Sequence, residues 1–158
     1  MSQSQKSLTA NVTLFEPGAE VIAAAFVDGI ASLVCTNGTI LFAEPGKERS
    51  VTPHPDATIL VAQSDGTRIV TGGDDGLVLA TSPDGRCDEL ANEQGKWIDA
   101  LTLGRDGALA WSVTKTVRAR DAKGEVKTMT APSSVRGDRK STRLNSSHTD
   151  ISRMPSSA

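Results

Sequence analysis

Leu60-Val-Ala-Gln-Ser-Asp-Gly-Thr-Arg-Ile-Val-Thr-Gly-Gly-Asp-Asp-Gly-Leu-Val-Leu79 holds three short apolar runs, separated by Asp65-Gly66 and by Asp75-Gly76. A tight hairpin needs positive φ at its central positions, and Asp-Gly and Asn-Gly tolerate that best. The stretch therefore reads as three strands joined by two hairpins. The same layout recurs on both sides of it. Upstream, Ala23–Phe42 carries Asp28-Gly29 and Asn37-Gly38, and downstream, Leu101–Arg120 carries Asp106-Gly107. Gly46, Gly85 and Gly124 stand at equal intervals, each closing a short turn after an apolar run. Self-similarity at a fixed period decides fold class before any other signal, and this period is close to the roughly 40–45 residues of a propeller blade.

Short runs rich in Val, Ile, Leu and Thr, with regular turn signals and no helix-period stretch, indicate an all-β protein. Residues 21–54, 57–94 and 97–130 are the three expected blades, each a four-stranded antiparallel sheet. The strands are expected at 21–27, 30–35, 39–44 and 48–52, then 57–62, 67–71, 77–82 and 86–91, then 97–103, 107–112, 116–121 and 125–129. In the third unit Lys115-Thr116 stands where the others have Asn-Gly or Asp-Gly, so that turn must be built differently.

Residues 11 to 137 resemble the WD-repeat family of β-propellers in their turns: Gln63-Ser-Asp-Gly and Gly72-Gly-Asp-Asp-Gly, then Gly104-Arg-Asp-Gly. Ala43-Glu44, Thr81-Ser82 and Arg120-Asp121 occupy the Trp-Asp positions, so Asp121 alone survives. At the Gly-His position the nearest remnant is Gly95-Lys96. The resemblance thus implies blades in which the family's His, Asp and Trp network is largely absent. It further implies a fragment of a longer ring, with Asn11–Phe15 a strand belonging to the last blade. The full-length protein would be a monomeric ring that presents its loops to protein partners. The first and third blades would each lack a neighbour here, and such uncovered apolar faces drive association.

From Asp138 onward the chain reads differently. Back-translated, Asp138–His148 and Ser152–Ala158 resemble the two constant blocks of a common short-read sequencing adapter, with Thr149-Asp150-Ile151 at the variable index. Residues 138–158 are therefore read as a non-native, disordered tail and set aside from function. The whole chain has 158 residues and net charge −2, and leaving out the tail makes the balance more acidic. With no basic stripe, a nucleic-acid partner is not expected. No apolar stretch is long enough to span a bilayer, and Met1–Ala10 has no apolar core of a secretory signal. Two cysteines, Cys35 and Cys87, at non-equivalent positions fit a reducing cytoplasm.

Few residues offer chemistry. His54, between Pro53 and Pro55, reads as an exposed loop histidine or a rim contact, with no partner at metal-ligand spacing. Asp74-Asp75 sits in a tight turn and lacks the alternating ligands of a calcium loop. Gly72-Gly73 lacks the Lys-Ser/Thr of a phosphate loop. No catalytic, metal or cofactor residue is expected. Trp111 reads as packing, whereas Trp97 stands between packing and a partner-binding rim, Trp being enriched at binding hot spots. The expected function is a non-catalytic scaffold for protein–protein interaction. The alternative is part of a propeller enzyme, lactonase-like or quinone-dependent, whose site residues lie in other blades.

Overall fold

Twelve strands in chain order build three separate four-stranded antiparallel sheets in a computed structural model that describes residues 14–136. The first sheet contains β1 (Val21–Val27), β2 (Ile30–Cys35), β3 (Ile40–Ala43) and β4 (Arg49–Val51). The second contains β5 (Ile59–Ser64), β6 (Ile69–Gly73), β7 (Leu77–Thr81) and β8 (Cys87–Asn92). The third contains β9 (Ala100–Leu103), β10 (Leu109–Val113), β11 (Thr116–Arg120) and β12 (Val126–Thr130). Within each sheet the strands lie side by side in sequence order, as hairpin-linked strands do.

The turns form where the sequence supplies residues for them. Asp28 (φ 48) and Gly29 (φ 78) close β1 on β2, and Gly38 and Gly76 take φ of 83 and 80 in the β2–β3 and β6–β7 turns. The third unit solves its missing glycine with Thr114, held at φ 51. A β-branched residue in the left-handed region is strained, and Asp99 braces it by accepting the Thr114 N–H at 2.6 Å. β9 starts at Ala100 rather than at Trp97 because the Ile98 N–H is bonded to the Gly73 carbonyl of the preceding sheet.

The sheets stack face to face through two apolar layers. Val27, Val34, Ile40 and Phe42 of the first sheet meet Ile59 and Ile69 of the second. Val70, Val78 and Ala80 on the other side of the second meet Leu101, Leu109, Trp111 and Val113 of the third. Alternation along each strand sends successive side chains to opposite faces, which is why β6 serves both layers. β1 packs beside β5, and β5 beside β9, so the first strand of every sheet lies against that of the next. The Gln63 amide oxygen of β5 accepts the Leu103 N–H of β9 at 3.1 Å. The three sheets match a propeller-like fragment.

Of the strand expected at 11–15, Asn11–Thr13 lie outside the described residues, and Leu14 and Phe15 belong to no strand. The tail at 138–158 lies outside the described residues as well.

Candidate functional site

Three linkers carry the chain between or beyond the sheets, and their backbones repeat one pattern. His54, Glu93 and Ala131 donate their N–H groups to the carbonyls of Gly38, Gly76 and Lys115. Ile59, Ile98 and Val135 then donate theirs to Thr36, Gly73 and Thr114. Each linker is thus fastened by its backbone to the sheet it leaves. In the first two, the side chains of His54 and Glu93 reach the sheet ahead.

His54 shows the second half of that joint. It is fully buried, with its Nδ1–H donated to Asp75 Oδ2 at 2.8 Å and its Nε2 hydrogen-bonded to Thr71 Oγ1 at 2.8 Å. Asp75 also accepts the Leu77 N–H on its other oxygen, and Asp74 accepts the Thr58 N–H. The expectation of an exposed or rim histidine is therefore corrected. The turn aspartate and strand threonine offer the imidazole two partners, and buried polar groups are retained where partners satisfy them. Gly73 makes room, since a Cβ there would lie 2.7 Å from His54 Nδ1. A signal was present in the sequence: a histidine just ahead of β5, with Thr71 and Asp75 flanking the next hairpin.

Glu93 occupies the corresponding seat before the third sheet. Its Oε1 accepts the Trp111 indole N–H at 2.8 Å, and Arg118 Nε lies 2.6 Å from the same oxygen as an ion pair. The Arg118 N–H is not aligned for a true hydrogen bond with it. Trp111, in the position on β10 that Thr71 holds on β6, is only 3% exposed, in keeping with packing. Arg120 adds a bond to the Leu90 carbonyl across the same interface.

Trp97 is held out from this second linker. Its neighbour Ile98 is fully buried and packs against Gly72, leaving Trp97 63% exposed. Beside it opens a cleft of about 300 Å³ lined by Gly95, Lys96, Trp97, Asp99, Val113 and the strained Thr114. Gln94 (φ 55) and Gly95 (φ 78) shape the wall, and the Gly95 N–H is bonded to the Asp75 carbonyl. The site thus combines a flat aromatic, an ammonium and a carboxylate on a loop tied to two sheets. His54 and Trp97, the two rim candidates, are not brought together: one is a buried joint and the other an exposed contact.

No group of three or more His, Cys, Asp or Glu side chains that could hold a metal occurs among the described residues. Among the same residues, no helix is long and apolar enough to cross a membrane. On the opposite rim, Asp65 sits in the β5–β6 turn. Burial pushes its carboxyl up, but hydrogen bonds from Thr67 and Arg68 outweigh this and hold it at about 2.

No protein-family model matches the chain, and no curated protein sequence does. Solved structures do. An extracellular domain from B. thetaiotaomicron, described as that of a hybrid two-component system, matches 80% of this chain with TM-score 0.58 and 14% identity. A second structure from that organism, described as a one-component system, matches 68% with TM-score 0.52 and 14% identity. BBS1N, crystallised in complex with ARL6DN, matches 67% with TM-score 0.53 and 15% identity. The chain spans 19%, 16% and 37% of their respective lengths. At this identity the likeness is one of fold, and it agrees with a propeller-like fragment.

Proposed function

We propose that this chain is part of a non-catalytic WD-repeat-like propeller that binds a protein partner on the rim carrying Trp97. The observation that carries the reading is the exposed indole over the 300 Å³ cleft, on a loop fastened to the sheets on both sides of it. A rigid, exposed aromatic loses little conformational freedom on binding, which is why such residues dominate interfaces. The His54–Asp75–Thr71 arrangement supports the finer WD-repeat assignment, because it ties a linker histidine to a turn aspartate in one blade. That BBS1N was crystallised with a protein partner is in keeping with the interaction reading. Under this reading a closed ring takes its further blades from outside residues 14–136, in this chain or in another. The free thiols of Cys35, buried, and Cys87, exposed, fit a reducing compartment.

The test is site-specific photo-crosslinking in cells. A photoreactive side chain at position 97 should trap a discrete protein partner, while one at Arg86, at the far end of the second sheet, should not. Lys96→Glu should weaken the trapped band several-fold without changing the unfolding midpoint. Equal labelling from both positions would overturn the rim assignment.

A further inference from the structure

The outer faces of the first and third sheets differ in a complementary way. On the first sheet, Val27 points into the core toward the second sheet, so its neighbour Phe26 projects on the opposite side and is 71% exposed. Ala31, which pairs with Phe26, and Ala24 with its partner Leu33 share that face. Val21 and Ile22, 38% and 37% exposed, extend it toward the linker. On the third sheet, Leu109, Trp111 and Val113 point into the core, so Ala110 and Ser112 face outward. With Ala100 and Thr102 they floor an apolar cavity of about 210 Å³. One face carries large side chains, and the other has small side chains and space.

The interface between the second and third sheets shows how such faces fit. Phe26 holds the place in the first sheet that Leu103 holds in the third: each pairs with an early residue of the next strand, Ala31 and Leu109. Leu103 packs against the second sheet, where the Gln63 side chain meets its backbone N–H. Thr102 stands on β9 where Gln63 stands on β5, since each pairs one step from the corresponding core residue. The chain thus carries both halves of a joint that it uses between its second and third sheets.

We propose that a second copy of this chain docks head to tail, seating Phe26 of its first sheet on the floor of Ala100, Thr102 and Ala110 in the third. Val135 already fills the seat that Ile98 fills one sheet earlier, so the incoming sheet engages from Ala23 onward. The Thr36 N–H to Glu20 bond fixes where its Leu14–Glu20 segment joins β1, at the edge of the docking face. A head-to-tail contact closes into a ring when the rotation allows and otherwise grows into a filament. The described residues of two copies supply six sheets, within the roughly four to eight of closed propellers. The proposal rests on the ring reading given above.

The experiment uses the full chain carrying Cys87→Ser, which removes the exposed thiol. Phe26→Cys protein and Thr102→Cys protein are mixed and mildly oxidised. A cross-linked species of two chains should form in the mixture and in neither protein alone, and light scattering of the parent chain should give twice the single-chain mass. Phe26→Glu should halve that mass; if this variant fails to fold, Ala110→Arg on the other face should do the same. A single-chain mass at every concentration, with all three sheets protected from hydrogen exchange, would overturn the docking and leave the ring reading standing. Loss of protection in all three sheets would overturn the ring reading itself, and the docking with it. Self-crosslinking of Phe26→Cys protein would point to pairing of two first sheets and also overturn it. A 26–102 cross-link within an open-ended polymer would support the contact and overturn the two-copy ring.

Discussion

The linkers ahead of the second and third sheets occupy the same seat and fill it with different chemistry. Before the second sheet, a fully buried imidazole is held by a half-buried turn carboxylate and a buried strand hydroxyl. Before the third, a carboxylate takes an indole N–H and pairs with a guanidinium, and the Arg118 side chain is 36% exposed. The requirement common to both is that a polar group on the linker find its partners on the sheet ahead, because an unsatisfied buried group costs about 1–3 kcal/mol. Which residue types meet it is free. The backbone half of the joint, by contrast, repeats without change in all three linkers. Geometry is the repeated element here, and side-chain identity varies on it.

This contrast can be broken at graded cost. Gly38→Ala should do the most damage: its Cβ would lie 2.0 Å from the His54 carbonyl oxygen, at a φ of +83. Because that change breaks the shared backbone joint, a loss of about 4 kcal/mol or more in urea unfolding is expected. His54→Ala keeps the backbone bond but strands Asp75 and Thr71 and opens a hole, for about 3 kcal/mol. If Gly38→Ala proves milder than His54→Ala, the side chain and not the backbone is the main fastening. Trp111→Phe removes one hydrogen bond to a charged group while keeping the packing, and should cost about 2 kcal/mol. Arg118→Ala should cost about 0.5–1 kcal/mol, since a partly exposed ion pair is screened. A larger Arg118 effect would show that the third-sheet joint is electrostatic rather than packed.

The smallest effect lies on the opposite rim, away from both joints. The Asp65 carboxyl is held at about 2 by Thr67 and Arg68, below its unfolded value of about 3.9. A depressed carboxylate contributes stability that is fully present above about pH 4 and is lost as the pH falls toward 2. Asp65→Asn should therefore flatten the acid limb of the stability curve in that window and leave neutral-pH joint mutants unaffected. An unchanged acid limb would remove Asp65 from the account.

Strand positions were legible because alternation and Asp-Gly turns act locally; observed strands follow the expected ones within two or three residues. Trp97–Asp99 was read as strand because its apolar content suits one, yet the Ile98 N–H bonds to another sheet. Local pattern cannot announce such a partner. His54 was misplaced for the same reason: two flanking prolines describe a loop, whereas its burial depends on Thr71 and Asp75 reaching it from the next hairpin. Trp111 was legible as core from its apolar neighbours. Its bond to Glu93 was not, because Glu93 shares a seat with His54 and no residue type.

A joint whose backbone belongs to one sheet and whose side chain belongs to the next has a direction in time. As the chain leaves the ribosome, Gly38 is already available when His54 appears, so the linker can latch backward at once. The imidazole's own partners, Thr71 and Asp75, are still unsynthesised. Each of the first two sheets therefore waits with one polar side chain unspent, His54 or Glu93, whose partners lie on the β6–β7 or β10–β11 hairpin of the sheet that follows. The order of synthesis thus favours assembly from the N-terminal end, and a synonymous change that slows translation just after His54 is expected to lengthen the interval in which the seat stands empty.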